Sequence, residues 1–498
     1  MKKIKRNDRK VLLRKMITLL QLETLLGLIA ALLLNKMLPV KWLAIMSGVL
    51  FVFWIICFAM QFIKKKIHRL GIVLSIILAV VQFGGVFYIA KANELMGSIG
   101  GAALKIDNMV VVVRADDPAE TIEDASGYSF GVQYAVDAGN TKRMVEEIGN
   151  TLVNGIIPIE YESIQQEAQA LLDGEVQAVI YNEAYTSIIE ETIENYSSKV
   201  KIIYQYGIES AIEKEEVDIS NAFNIYISGI DVEGSISKSS RSDVNIIMTV
   251  NPDTKQILLT STPRDFYVEI PGVSNGAKDK LTHAGVYGVD ASMRTLEQLY
   301  GIDISYYARV NFTSVINIVD ALGGIEVESA QAFTAKSGHS FSAGTNYLNG
   351  EQALAFARER KSFAAGDRQR GKNQEAVIEA VLKKAMSPAI LQNATQIIAS
   401  VSDSVETNMT RDEMAKFINM QLEDAAVWDI ESQAADGSGS SASCYSSGSQ
   451  QLYVMIPNVA VVAACSQKMH EILDPENIIG TQETSDMPGT DVQVEIIE

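Results

Sequence analysis

The sequence predicts an α/β protein with membrane-spanning helices at its N-terminus, a small α/β accessory domain, and a larger mixed-sheet α/β domain with flanking helices. Three observations carry this reading. Long apolar runs are confined to the first ninety residues. Strand and helix patterns alternate from about residue 106 onward. Charged residues then fall repeatedly at the ends of the later apolar elements. A chain of 498 residues exceeds one ordinary domain. The divisions are set at 1–95 for a cytoplasmic N-terminus and membrane helices, 106–216 for the accessory domain, 221–475 for the larger domain and 476–498 for an acidic tail.

Three apolar stretches, Ile17–Leu34, Trp42–Ile63 and Leu70–Ala90, each approach the roughly 20 residues that cross a hydrocarbon core. The first carries Gln21 and Glu23 and is the weakest. Two basic clusters decide the count: one from Lys2 to Lys15, the other at Lys64–Arg69. Positive residues stay in the cytoplasm, so two spans separate the clusters and a third delivers everything after Lys91 to the outside. The expected location is therefore the cell membrane, multi-pass, with the larger domain extracytoplasmic.

Residues 1–105 hold 16 Lys and Arg against 3 acidic residues, which leaves 26 basic and 58 acidic residues for the remainder. So acidic a remainder argues against nucleic acid as a partner, because sequence-independent binding needs basic surface. Any anionic ligand must be held by a local cluster. Cys444 and Cys465 lie in the soluble part, where a disulfide is chemically permitted outside the cell.

In the accessory domain, Met109–Val113, Phe130–Val136, Ile156–Tyr161, Gln177–Tyr181 and Val200–Tyr204 read as strands, with helices at Thr141–Leu152, up to Leu172, and between the last two strands. The alternation implies some parallel pairing, and no catalytic set is visible. In the larger domain, Phe223–Ile230, Val244–Val250 and Gln256–Thr262 are strands, the last two joined by the turn Asn251-Pro252-Asp253-Thr254. Helices follow at Ser314–Leu322, Gly350–Ala357 and from Asp367 to Met386, with a short strand at Ile325–Val327. Ala434–Gly448 reads as a Ser/Gly-rich loop before a strand at Gln451–Ile456 and a closing helix to Leu473.

Asp231 follows a strand, Arg241-Ser242-Asp243 opens the next, and Arg264-Asp265 closes the third. Arg358 and Arg360 follow a helix, while Arg370 and Gln374 share a side of the last long helix near its N-terminus. Aspartates with several arginines suit a metal-bound pyrophosphate: Mg²⁺ takes one or two carboxylates, and arginine matches phosphate geometry. Other chemistries lack their parts. The four histidines form no His-x-x-x-His pair, and there is neither a Gly-x-Ser-x-Gly elbow nor a phosphate loop ending in Lys-Ser/Thr.

Arg241-Ser-Asp243, Thr260–Val268, Asp279-Lys-Leu-Thr-His-Ala284, Val319–Gly324, Leu348–Arg360 and Gly366–Arg370 with Gln374 resemble, in order, the blocks of the LytR-CpsA-Psr (LCP) family. The three-span anchor and inserted domain resemble its CpsA branch. The resemblance implies transfer of a glycopolymer, such as a teichoic acid or capsule polysaccharide, from a polyprenyl-pyrophosphate carrier to peptidoglycan at the lipid bilayer. It implies Asp231 and Asp243 on Mg²⁺ (Mn²⁺ as a substitute), with Asp231, Arg264 and Arg370 in the chemistry. Arg241, Lys280, Arg358, Arg360, Arg370 and Gln374 would bind pyrophosphate. Thr262, and the run from Ala284 to Val289, depart from the family pattern beside the lipid or sugar path. A pyrophosphate hydrolase and a non-catalytic envelope sensor are the rival readings.

Overall fold

The computed structural model describes residues 6–35, 38–61, 63, 67–99, 104–152, 155–211, 221–230, 240–363, 366–387, 405–424 and 426–475. The expected acidic tail and Asp231 lie outside these residues. Contacts divide the chain into two compact units, one of residues 1–101 with 386–403 and 408–427, the other of the remainder.

The first unit contains helices α1 (Arg6–Leu34), α2 (Val40–Met60) and α3 (Ile67–Ile99). Segments Arg14–Leu34, Val40–Met60 and Ile67–Lys91 are long and apolar enough to cross a membrane. Of the polar residues that weakened the first span, Glu23 is exposed. Gln21 is buried, and Thr24 Oγ1 donates to Gln82 Oε1 of α3 at 2.8 Å.

Among the described residues, the second unit holds two large sheets and four two-stranded ones. The accessory sheet uses β1 (Leu104–Arg114), β2 (Phe130–Gln133), β3 (Pro158–Tyr161), β4 (Ala178–Asn182) and β5 (Val200–Ala211), in the order β3-β2-β4-β1-β5. β2 is parallel to β3 and β4, whereas β1 is antiparallel to β4 and β5. Helices α4 (Ala138–Thr151) and α5 (Ile164–Asp173) cover it. The helix expected between β4 and β5 is broken into α6 (Thr186–Ile189) and α7 (Tyr196–Lys199), with a turn between them that carries Glu191.

The larger domain is built on β6 (Phe223–Ile230), β7 (Ser242–Asn251), β8 (Gln256–Ser261), β9 (Tyr267–Glu269) and β10 (Lys278–Lys280). Then come α8 (Leu281–Tyr287), α9 (Val289–Tyr300), β11 (Tyr306–Val310), α10 (Phe312–Ala321), β12 (Ile325–Ser329), β13 (Phe333–Thr334), β14 (Ser340–Phe341) and β15 (Gly344–Leu348). Helices α11 (Gly350–Arg358) and α12 (Asp367–Ala385), strands β16 (Val405–Thr407), β17 (Asp429–Ala434), β18 (Gly437–Ser443) and β19 (Gln451–Pro457), and a closing helix Val459–Leu473 complete it. The main sheet runs β16-β11-β6-β7-β8-β17 and is mixed: β6–β7 and β7–β8 are antiparallel, β11–β6 and β17–β8 parallel. Its central strand β6 is buried along almost its whole length, as befits a strand covered on both faces. Tyr226, Leu258, Leu296, Tyr300 and Met469 form the core between sheet, α9 and closing helix.

The Ser/Gly-rich loop expected over Ala434–Gly448 is corrected by the structure. Gly437–Ser443 is strand β18, paired antiparallel with β19. Its small side chains are largely exposed, so backbone pairing rather than side-chain burial defines it, and composition gave no strand signal. Cys444 and Cys465 are buried free thiols in different apolar clusters.

The two large sheets of the second unit share a core. Val286 of α8 packs into the accessory cluster with Tyr185 and Ile188, the Tyr185 and Tyr287 rings lie 6.0 Å apart, and Tyr445 Oη donates to Ala135 O at 2.6 Å. Close approach of α8 to β7 depends on Gly285, where a Cβ would sit 2.7 Å from both Ser240 O and Ser242 N. Gly285→Ala is expected to force the two apart and lower Tm by a few degrees, because over-packing costs about 1–3 kcal/mol. Thermal melts of the two proteins check this.

Candidate active site

The start of β7 rests on a buried polar network. Tyr226 Oη donates to Asn245 Oδ1 at 2.6 Å and pairs with Ser242 Oγ at 2.9 Å, while Ser228 Oγ meets Ser242 Oγ at 2.8 Å. This network fixes the backbone that carries Arg241 and Asp243. At the end of β8, Pro263 turns the chain, and Phe266, fully buried, pulls it inward. The turn is then held from both sides: Thr282 N donates to Arg264 O at 2.8 Å, and Met455 N to Asp265 O at 2.7 Å.

These supports bring the charges together. Arg264 Nη1 donates to Asp243 Oδ2 at 2.9 Å, and Thr282 Oγ1 to Asp243 Oδ1 at 3.2 Å. Asp265 stands between two cations, 3.7 Å from Arg264 Nε and 3.7 Å from Lys280 Nζ. Lys280 Nζ also donates to Glu191 Oε2 at 2.7 Å, and Arg241 Nη1 to Glu191 Oε1 at 2.8 Å. His283 Nε2 lies 3.5 Å from Glu191 Oε1, and its Nδ1 is 2.7 Å from Asp279 Oδ1. Asp279, fully buried, also accepts from Ser446 N at 2.9 Å and Lys280 N at 2.7 Å.

Burial alone would push the Glu191 carboxyl up, but the His283 and Lys280 hydrogen bonds and charges outweigh it and hold it far below the usual carboxylate range. Burial would likewise push His283 down. The charge and hydrogen bond of Asp279, with those of Glu191, instead lift it to about 9, so it is an imidazolium at neutral pH.

A cavity of about 560 Å³ opens beside this cluster, lined by Arg264, Asp265, Lys280, Arg360, Lys361, Phe363, Gly366 and Tyr453. Arg360 is aimed there by its buried neighbour Glu359, whose carboxylate accepts from the amides of Lys336, Arg360 and Ser362 at 2.7, 3.1 and 2.9 Å. Phe363 is anchored by the Phe333 ring, 4.6 Å away.

Of the residues singled out from sequence, Arg264, Lys280 and Arg360 line the cavity, and Asp243 is bonded to Arg264. Arg241 is turned to Glu191. Arg358 ends α11 with its guanidinium 3.7 Å over the Phe312 ring, away from the cavity that Arg360 lines. Arg370 and Gln374 lie half-buried on α12 and are not among the described residues lining the cavity. Sequence reasoning missed Glu191, Asp265 as a cavity wall, and the Asp279–His283 pair. The spacing of four between Asp279 and His283 was a usable signal; nothing local marks Glu191. The carboxylate and hydroxyl oxygens of Asp243 and Thr282 are hard donors of the kind Mg²⁺ takes. No group of three or more His, Cys, Asp or Glu poised for a metal occurs among the described residues.

The LytR_cpsA_psr family model matches residues 189–459, more than half of the chain. This chain belongs to the LytR_cpsA_psr family. Its match takes in Glu191 and every site residue named above. The LytR_cpsA_psr chain is 37% identical over 206 residues to the polyisoprenyl-teichoic acid–peptidoglycan teichoic acid transferase TagU of Bacillus mycoides (strain KBAB4), covering 41% of itself and 66% of that protein. It is 37% identical over 209 residues to TagU of Enterococcus faecalis (strain ATCC 700802 / V583), covering 41% of itself and 68% of the relative. The chain thus spans just under two thirds of the first of these relatives. Among solved structures, B. subtilis TagV aligns with a TM-score of 0.44 at 27% identity, over 51% of this chain and 98% of that one. TagT bound to LI-WTA aligns at 0.42 and 25%, over 52% and 94%.

Proposed function

We propose that this protein transfers a glycopolymer from a polyprenyl-pyrophosphate carrier to peptidoglycan, on the outer face of the membrane that its three apolar helices span. The observation that carries the reading is the convergence of Arg264, Lys280, Arg360 and Lys361 on one cavity beside Asp243 and Asp265. Four cations around one opening in a strongly acidic chain suit a multiply charged phosphate donor. The named activity of the TagU relatives supports it.

In the proposed reaction a peptidoglycan hydroxyl oxygen bonds to the phosphorus nearer the glycan. The anhydride P–O bond breaks, and polyprenyl phosphate leaves with the electron pair. The hydroxyl proton passes to a carboxylate, a part for which the sequence offers Asp231 as a candidate. Arg264 and Arg360 hold the phosphate oxygens and neutralise the charge that grows on the leaving group, the term expected to dominate phosphoryl transfer. Mg²⁺, or Mn²⁺ in its place, held by Asp231 and Asp243, would supply further neutralisation of the pyrophosphate. Phe363 and Tyr453 give the first isoprene units an apolar wall.

The test uses the full-length protein in lipid nanodiscs, a labelled polyprenyl-pyrophosphate oligosaccharide, peptidoglycan oligomers and Mg²⁺. Label becoming covalently attached to peptidoglycan is the expected result. Release of label without attachment, at saturating acceptor, would replace transfer by hydrolysis. Binding without either would replace it by sensing.

A further inference from the structure

The accessory domain carries a carboxylate to the edge of the phosphate cavity, and the catalytic domain meets it with three cations. Glu191 sits in the turn between α6 and α7, with its side chain mostly buried. Its two oxygens take Lys280 Nζ at 2.7 Å and Arg241 Nη1 at 2.8 Å, with His283 Nε2 at 3.5 Å. These partners lie 50 to 92 positions further along the chain. Lys280 itself lines the cavity together with Arg264 and Arg360. An anion already sits where an incoming phosphate oxygen would draw the same lysine.

We infer that Glu191 is a positioning residue of the donor site, supplied by the accessory domain, which sets how far Lys280 and Arg241 are available to a bound pyrophosphate. The inference rests on the phosphate-donor reading of the cavity and adds to it a role for the accessory domain. The physical basis is simple competition. Lys280 Nζ has three protons; Glu191 takes one, and Asp265 at 3.7 Å draws the same ammonium from its other side. A phosphate entering the cavity meets a lysine whose charge is largely compensated and also feels repulsion from Glu191, whose Oε2 lies 2.7 Å from that lysine's Nζ. Binding of donor and docking of the Glu191 turn are therefore linked, and the linkage is reciprocal.

The charged groups facing the Glu191 carboxylate are Arg241 at the start of β7, Lys280 at the end of β10 and His283 on α8, itself backed by Asp279. Together they explain why a carboxylate is tolerated there, because an unpaired buried charge would be costly.

The experiment uses the full-length protein in nanodiscs, with inorganic pyrophosphate and geranylgeranyl pyrophosphate as probes, and the variants Glu191→Gln and Glu191→Asp. Wild-type protein should bind both probes. Glu191→Gln should bind them about tenfold more tightly, and Glu191→Asp, which keeps the charge, should stay within about twofold of wild type. A residue that only docks the two domains would lower Tm in both variants and tighten binding in neither; that outcome overturns the inference. Should Glu191→Gln fail to fold, wild-type protein still decides. Pyrophosphate should raise amide hydrogen exchange over residues 190–199 as Lys280 is drawn away, and unchanged exchange there overturns the inference. If wild-type protein binds neither probe, the phosphate-donor reading itself falls.

Discussion

Replacing Arg264 by alanine is expected to lower transfer by at least about 100-fold with the fold intact. Arg264 is the one cavity cation bonded directly to Asp243, and it also flanks Asp265. Under the proposed reaction its loss removes a donor to the transferring phosphate, which costs about 2.7–4 kcal/mol where such a donor acts in the transition state. It also leaves Asp243 without its 2.9 Å partner. The backbone of the turn survives, since its carbonyl bond to Thr282 N needs no arginine side chain. Transfer assays should show the deficit chiefly in kcat, with Tm within a few degrees of wild type. Arg264→Lys should recover only part of the rate, because lysine cannot offer the planar fork. A variant that transfers at near-normal rate would remove Arg264 from the chemistry.

Asp279→Ala should be the most destabilising single change in the site. Asp279 accepts from Ser446 N, Ser446 Oγ, Lys280 N and the His283 ring while fully buried, and its removal strands the two amides, whereas Ser446 Oγ and His283 Nδ1 keep their mutual contact at 3.0 Å. Breaking a buried charge pair from one side costs about 3–5 kcal/mol, a fall in Tm of about 5 °C for a unit of this size. The pH profile identifies the cause. His283 has its pKa raised from 6.5 to about 9, so its contribution is complete below pH 6.5 and is lost as pH rises to about 9. Glu191 is shifted the other way, so its contribution is complete above its unfolded value of 4.5 and lost only in stronger acid. Wild-type stability should thus slope downward between pH 6.5 and 9, and Asp279→Ala should flatten that slope. A slope unchanged in the variant would mean that His283 is not the titrating group.

Much of this arrangement was legible in the sequence. Strand β6 was read with its observed bounds, Phe223–Ile230, because a strand buried on both faces is a continuous apolar run between turn signals. Helices α8 and α9 were not assigned. From Leu281 to Val286 every residue of α8 is buried, whatever its polarity, so no amphipathic period exists to be read. Arg264 and Arg360 could be chosen as charges at element ends, since that is where α/β folds place ligands, whereas Lys280 came only with the family resemblance. The division between Arg358 and Arg360 could not be foreseen. It depends on α11 extending one residue beyond Ala357, which sends one guanidinium to Phe312 and the other to the cavity. Glu191 was invisible for a different reason: its meaning lies wholly in partners tens of residues away on another sheet.

The shared core around Val286, Tyr185 and Tyr287 has a consequence for how this protein comes apart. A segment that buries its neighbour's side chains cannot melt alone without exposing them to water. The accessory sheet and the larger sheet should therefore unfold as one cooperative step, giving a single calorimetric transition and no stable proteolytic fragment of either.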